Sequence, residues 1–141
     1  MDLITSFKIC GSGLAAQRAK LDVVTSNLAN VSTTRTPEGG PYRKKTIAFA
    51  AENVKGNFDS TMNGAVQSVK VDEVKEDPNS IKRVYDPGHP DADAKGFVAM
   101  PDINVMMEMA DMIAASRAYE ACVTAFDSTK NMVQKTLEMG R

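Results

Sequence analysis

The 141-residue chain is long enough for one ordinary domain or for two small units, and 43% of its residues are hydrophobic. Its 17 basic and 18 acidic residues are mixed along the sequence and leave a net charge of -1, so no long basic tract is available to bind a nucleic acid or an anionic membrane. The longest apolar runs are shorter than the roughly 18 to 20 residues of a membrane-spanning helix, and we expect no membrane insertion.

The N-terminal residues differ from a cleavable secretory signal. Asp2 stands where such a signal carries positive charge, and Lys8 interrupts what would be its apolar stretch. We expect that a chain with this N-terminus leaves the cytoplasm, if it leaves, without a cleavable signal peptide.

An apolar repeat with alternating three- and four-residue spacing runs through residues 1–31. The spacing averages 3.5 residues and keeps one stripe facing a partner over many turns, so it predicts a long helix with a narrow apolar seam. The helix is expected to end near Val31, because the asparagines and threonines around it favour turns and caps. The seam consists of Leu3, Phe7, Cys10, Leu14, Gln17, Leu21, Val24, Leu28 and Val31, with Gln17 as its polar member.

The middle of the chain, residues 32–101, has a different composition. All six prolines and six of the nine glycines lie between residues 37 and 101, which excludes a continuous helix there. Short apolar alternations predict strands near residues 47–49, 69–71, 84–85 and 97–100. We therefore expect a small, irregular β module with long loops.

A second apolar repeat, in residues 102–141, predicts a second long helix. Asp102 and Asn104 are its two candidate N-caps, and Gly140 marks its end. The seam consists of Val105, Met109, Met112, Ser116, Tyr119, Val123, Phe126, Lys130, Val133 and Leu137, with Ser116 and Lys130 as its polar members.

The two seams predict that the terminal helices pack as an antiparallel coiled-coil-like hairpin, with the β module at one end. The predicted fold class is therefore mainly α with a small irregular β insert. In the packing we expect, one face meets the other: Leu14, Leu21, Val24 and Leu28 against Met112, Tyr119, Val123 and Phe126.

Apolar residues also remain outside the two seams. Ile9, Ala16 and Val23 form a second line on the first helix, and alanines form another stripe on the last. A solitary hairpin would leave this surface in water, so we expect other copies or other chains to cover it. The alternative is that alanine is simply the best helix former and that a few exposed apolar residues are normal.

Polar residues near the helix ends are candidates for fixing the register between packed helices. Asn27 and Asn30 are three residues apart at the close of the first helix, and Arg117 and Glu120 flank Tyr119 on the last. Such groups form cross-helix hydrogen bonds in some packed helices. Exposed caps and ordinary surface ion pairs are the alternative interpretation.

Residues that would support catalysis are sparse. Asp86, His89, Asp91 and Asp93 combine carboxylates with a histidine, but the intervening prolines and glycine favour a polar turn, and the chain has no second histidine. Cys10 and Cys122 lie on different predicted helices without metal-ligand spacing, and we interpret them as small apolar packing residues in preference to a disulfide. We expect no catalytic residues, no metal and no cofactor.

Four stretches of the sequence resemble one known family. These are Ser-Asn-Leu-Ala-Asn at 26–30 with its threonine-rich exit, and the segments 33–43, 84–93 and 108–121. Together they resemble the bacterial flagellar axial proteins of the rod, hook and hook junctions, and within that family the proximal-rod members. The similarity covers nearly the whole chain. Cys122 departs from it, because the resemblance implies asparagine there.

This resemblance implies a structural subunit of the rod of the flagellar basal body, a hollow helical tube in the periplasm that transmits torque and serves as an export channel. It implies export through the flagellar type III apparatus without a cleavable signal, and terminal helices that become ordered on assembly. The implied partners are copies of the chain, other rod proteins, and rod-base components including the MS ring and its rod adaptor.

Three other functions fit the sequence less well. A cytoplasmic adaptor or export chaperone has little use for a Pro/Gly-rich insert between matched terminal helices. A metal-dependent hydrolase built on the turn around His89 would lose activity on His89→Ala. A distal-rod or hook subunit would normally have a larger middle region.

Overall fold

The structure, a computed structural model, describes residues 3–53 and 67–140, apart from the side chain of the predicted seam residue Leu3. Two long helices enclose four strands in the sequence. The elements are α1 (Leu3–Ala29), β1 (Lys45–Asn53), β2 (Gln67–Glu76), β3 (Ile81–Tyr85), β4 (Phe97–Pro101) and α2 (Val105–Met139). The predicted combination of two long helices with a small β region is confirmed, and all four predicted strand positions fall within strands.

The strands form two separate antiparallel sheets of two strands each, β1 with β2 and β3 with β4. In the first sheet Lys45 lies opposite Glu76 and Asn53 opposite Gln67, with an irregularity between Ala48 and Phe49. In the second sheet the pairing runs from Ile81–Pro101 to Tyr85–Phe97.

Side-chain hydrogen bonds explain where α2 begins. The Asn104 Oδ1 atom accepts from the backbone N–H groups of Met106 and Met107 at 3.1 and 3.3 Å, so Asn104 caps α2. The other candidate cap, Asp102, instead donates its backbone N–H to the Ser80 carbonyl at 2.7 Å. The first helix, α1, ends at Ala29, two residues before the expected end near Val31.

The two helices are antiparallel neighbours. The Phe7 and Phe126 rings lie edge to face with centroids 4.9 Å apart. Further along α1, Lys20 Nζ lies 3.4 Å from Asp111 Oδ1. Residues further along α1 thus contact residues earlier in α2, so the two helices run in opposite directions.

The β1–β2 sheet lies along α1, so the expectation that the β module occupies only one end of the helical hairpin is wrong for this sheet. Its first strand begins beside Asn27, because the N–H group of Lys45, the first residue of β1, donates to Asn27 Oδ1 at 2.9 Å. Its second strand contacts Ser12, whose Oγ accepts from the Val69 N–H group at 3.3 Å. Between these two points on α1, Ala16 is only 2% exposed.

The burial of Ala16 corrects a second expectation. Ala16 belongs to the line of apolar residues that we expected to need another chain as cover, and the other two members, Ile9 and Val23, are half-buried. Elements of the same chain therefore cover Ala16, which the sequence pattern assigned to neighbouring chains. Within the described residues, neither helix combines the length and the apolar character needed to cross a bilayer.

Candidate functional site

Among the described residues, the most completely buried polar one lies where α1, α2 and β1 meet. Asn27 is 1% exposed. Its Nδ2 atom donates to the Lys45 carbonyl at 2.9 Å and to Glu108 Oε2 at 3.1 Å. Its Oδ1 atom accepts from the Tyr42 hydroxyl at 3.1 Å and from the Lys45 N–H group at 2.9 Å. The carboxamide thus makes its full set of four hydrogen bonds, which offsets the cost of burying it.

The contact between Asn27 and Lys45 imitates strand pairing. The carboxamide bonds both the N–H and the C=O group of Lys45, which are the two backbone groups that a neighbouring strand would bond. Asn27 therefore closes the edge of β1 at its first residue and fixes the start of the sheet on the end of α1.

Glu108 brings a charge into the same region. It is 2% exposed, and its Oε1 atom lies 2.7 Å from Lys44 Nζ while Oε2 accepts from Asn27. A buried carboxylate is costly unless it is paired and hydrogen-bonded, and here both conditions are met. The Lys44 side chain is 34% exposed, so the pair reaches from the interior to the surface.

Burial also affects the Tyr42 hydroxyl. Desolvation raises the pKa of Tyr42 above its ordinary value of 10.0, and the negative charges of Glu76 and Glu108 raise it further. The phenol therefore keeps its proton at neutral pH and remains a donor to Asn27.

A sixth residue joins these contacts to the remaining segments. Ser80 is 4% exposed; its Oγ accepts from the Lys44 N–H group at 2.9 Å and donates to the Asp77 carbonyl at 2.7 Å. Its own carbonyl accepts from Asp102 just before α2. We call this set the polar centre: Asn27, Tyr42, Lys44, Lys45, Ser80 and Glu108.

The predicted seam residues are buried to different degrees. On α1, Val24 is 5% exposed. The other seam members of α1 are half-buried: Phe7, Leu14, Leu21 and Leu28. On α2, Met112 and Phe126 are half-buried. Of the other α2 seam members, Ser116 and Val133 are also half-buried, whereas the following are exposed: Tyr119 and Val123 at 36%, Val105 at 40%, Met109 at 46%, Leu137 at 70%, and Lys130.

Beside the predicted seam, α2 carries a second line of covered side chains. Glu108 and Ala115, seven residues apart, are both 2% exposed, and Cys122 follows at the same spacing. A Cβ atom placed on Gly13 would lie 3.3 Å from the Cys122 sulfur, so the two helices approach closely there. Small residues permit this approach, and a pattern of large apolar residues alone does not reveal it.

The predicted polar residues separate into cross-helix and local groups. Of the two asparagines, Asn27 bonds across to α2, whereas Asn30, just after α1, donates to the Ser26 carbonyl in the last turn of α1 at 2.9 Å. Arg117 and Glu120 are exposed, and neither forms an ion pair within residues 3–53 and 67–140. Sequence reasoning missed the roles of Tyr42, Lys44, Lys45 and Ser80, which depend on contacts between distant segments.

The histidine-containing segment is a turn whose polar groups bond locally. His89 Nδ1 accepts from the Asp91 N–H group at 3.1 Å, and Asp86 Oδ1 accepts from that of Gly88 at 3.2 Å. The Asp91 carboxylate accepts from the Thr34 hydroxyl at 2.8 Å, which ties the turn to the exit of α1. Among the described residues, no three potential metal ligands come together, and both cysteines are free.

Comparison with known families identifies the class of protein first. Residues 8–35 match the family "Flagella basal body rod protein", and residues 94–139 match "Flagellar basal body rod FlgEFG protein C-terminal". The matched segments contain most of α1 and all of α2. Both ends of the chain are therefore similar to flagellar rod proteins.

Curated relatives narrow the class. The chain is 46% identical to the flagellar basal-body rod protein FlgC of Borreliella burgdorferi, with 97% of each chain covered. It is 41% identical to FlgC of Bacillus subtilis and 42% identical to FlgC of Escherichia coli O157:H7, with both chains covered completely in each case. The chain belongs to the FlgC family of flagellar basal-body rod proteins, which confirms the resemblance found in its motifs.

Proposed function

We propose that this chain is a structural subunit of the proximal rod of the flagellar basal body. Its similarity to FlgC proteins over the full length is the observation that carries the proposal. In this role the chain packs with copies of itself and with other rod proteins into a hollow helical tube, which transmits torque and serves as an export channel.

The proposed inner layer of the tube consists of α1 and α2 packed as an antiparallel coiled-coil-like hairpin, from segments 1–31 and 102–141. The edge-to-face contact between Phe7 and Phe126 and the buried Ala16 and Ala115 support this packing. The predicted seam residues contribute to it together with the small residues beside them. Segment 32–101 then forms an outer module that contacts adjacent subunits.

Exposed apolar side chains on α2 support the proposed assembly. Met106 is 75% exposed, Ile113 55% and Leu137 70% in the isolated chain. Covering such surface contributes about 25 cal/mol per Å², so contact with neighbouring subunits stabilises the helix. The free energy gained on assembly also offsets the entropy of fixing these side chains at an interface.

The proposed partners beyond the rod itself are the MS ring and its rod adaptor at the base, and the flagellar type III export apparatus during delivery. The proposed location is the periplasmic rod, reached without a cleavable signal peptide. The role is mechanical and not enzymatic, in keeping with the rod-protein names of the relatives. It requires no cofactor and no nucleic acid.

Leu21→Asp tests this proposal. Leu21 is half-buried in α1, and a carboxylate there lacks the pairing that a buried charge needs. In cells whose only copy of the protein carries Leu21→Asp, we expect no isolable rods and no swimming. Leu21→Met is the matched control, because volume-conserving apolar substitutions are usually tolerated. Normal rods and swimming with Leu21→Asp would contradict the proposed packing of the inner layer.

A further inference from the structure

α1 has different elements of the same chain packed on it. Contacts such as Phe7 with Phe126 join it to α2, and Ser12 joins it to Val69 of the β1–β2 sheet. Asn27 is the residue at which both partners of α1 meet. The pairing of the helices and the docking of the sheet are therefore linked at one side chain.

The chemistry of that side chain makes the link rigid. The two Nδ2 hydrogens lie in the plane of the carboxamide, and the structure assigns one to Lys45 of β1 and the other to Glu108 of α2. Because the group is planar, a rotation that follows one partner moves the hydrogen bond to the other. The position of β1 and the position of α2 are therefore set by a single group.

Burial penalises any state in which only half of these bonds form. Asn27 and Glu108 are 1% and 2% exposed in the folded chain, and undocking the sheet while the helices stay paired removes both Lys45 hydrogen bonds from Asn27 and the Lys44 ion pair from Glu108. An unpaired buried donor or carboxylate costs the desolvation that the hydrogen bond otherwise offsets. Intermediates with paired helices and an undocked sheet are disfavoured for this reason.

We propose that Asn27 is a positioning residue that couples the pairing of α1 with α2 to the docking of the β1–β2 sheet, so that both occur in one step. The surface that combines the sheet with the helices then exists only in a chain whose helices are paired. This coupling goes beyond the role of rod subunit, because it concerns how one chain acquires the shape that its neighbours contact.

Two engineered disulfides report the two events separately. Gly13→Cys reports helix pairing, since a Cβ at this position lies 3.3 Å from the native Cys122 sulfur. Ser12→Cys with Val69→Cys reports sheet docking, and this reporter also carries Cys122→Ala. Both reporters carry Cys10→Ala, and the disulfide fraction of the purified full-length chain is measured after exposure to a thiol oxidant.

We expect Asn27→Leu to lower the extent of both crosslinks by about fivefold. Asn30→Leu is the matched control, because the Asn30 amide bonds to Ser26 in the last turn of α1, and we expect it to leave both crosslinks unchanged. Loss of one crosslink without the other, or of neither, would overturn the coupling. If the two reporters with the native Asn27 form no crosslink, the geometry on which the coupling rests is overturned.

A rescue experiment separates coupling from general unfolding. Asn27→Asp places a second carboxylate beside that of Glu108. Adding Glu108→Gln replaces the Glu108 carboxylate by an amide, which can donate a hydrogen bond to the new carboxylate at position 27. We expect Asn27→Asp to reduce both crosslinks and the double variant to recover part of each. No recovery, or loss of amide protection in β3–β4 together with the crosslinks, would count against the coupling. Because the purified chain is tested outside the rod, the outcome does not depend on the proposed function.

Discussion

The Asn27 carboxamide donates a hydrogen bond of 3.1 Å to the Glu108 carboxylate, although 81 residues separate the two in the sequence. The bond joins the last turns of α1 to the first turn of α2. Lys44, which also binds this carboxylate, lies just before β1. The chain therefore brings three segment ends to one buried carboxylate. Substitutions of its partners measure how much these contacts contribute to the stability of the fold.

Lys44→Met should lower the free energy of unfolding by about 1 to 3 kcal/mol, because it leaves the buried Glu108 carboxylate without its counterion. The partial exposure of Lys44 keeps the expected cost below that of a fully buried pair, since water screens the interaction. Urea unfolding of the purified chain, followed by circular dichroism, measures the change.

Lys75→Met is the matched control for Lys44→Met. The Lys75–Glu73 pair has side chains that are 66% and 59% exposed, so its loss should change stability by less than about 0.5 kcal/mol. Adding Glu108→Gln to Lys44→Met should recover part of the loss, because it removes the unpaired charge while keeping an acceptor for Asn27. Equal effects of Lys44→Met and Lys75→Met would contradict the burial of the pair.

Two glycines in α1 should respond oppositely to substitution. Nothing lies within 4 Å of a Cβ placed on Gly11, so Gly11→Ala should stabilise the chain by about 0.5 to 1 kcal/mol through its helix propensity. Gly13→Val should destabilise it by about 1 to 3 kcal/mol, because its side chain meets the Cys122 sulfur. Thermal unfolding of the two variants is the measurement. Recovery of the Gly13→Val defect by Cys122→Ala would locate the crowding between the helices, and stabilisation by Gly13→Val would show that the helices are not this close.

Much of the fold follows from the distribution of residue types. Prolines confined to the middle and 3.5-residue apolar repeats at both ends predicted two helices around a β region, because proline excludes helix and periodicity creates an apolar stripe. The start of α2 after Asn104 could also be predicted, since the Asn104 side chain caps the backbone of residues next to it in the sequence. Such features depend on neighbours in the sequence.

The position of the sheet and the composition of the polar centre could not be predicted from the sequence. Ala16 is an ordinary helix former by its own propensity, and only the tertiary packing on α1 decides that it is buried. Ser80 and Lys44 meet through a side chain-to-backbone hydrogen bond across 36 residues, and no spacing rule predicts such a contact. The bond between Asn27 and Glu108 is similar, although the sequence pattern makes Asn27 a candidate for cross-helix bonding.

Gly96 and Gly39 separate backbone strain from side-chain crowding. Both have positive φ angles, +77° and +93°, so alanine at either position should cost about 1 to 2 kcal/mol. At Gly96 a Cβ would also lie 2.9 Å from Tyr85 Cε2, whose ring packs edge to face on Phe97. Gly96→Ala should therefore be more destabilising than Gly39→Ala by about 0.5 to 1.5 kcal/mol. Urea unfolding compares them, and equal losses would show that the Tyr85 ring moves away freely.

The raised pKa of Tyr42 predicts a loss of stability in alkaline solution. In the unfolded chain the phenol ionises near its ordinary pKa of 10.0, whereas in the folded chain burial and the nearby Glu76 and Glu108 keep it protonated to higher pH. The contribution of the protonated phenol is therefore complete below the unfolded pKa and is lost as the pH rises through the folded pKa. Urea unfolding from about pH 8 to about pH 11 should show a steeper decline for the natural chain than for Tyr42→Phe, which removes this ionisation but keeps the ring. Because both chains share every other titrating group, parallel declines would mean that the Tyr42 hydroxyl is not held in the buried contact with Asn27.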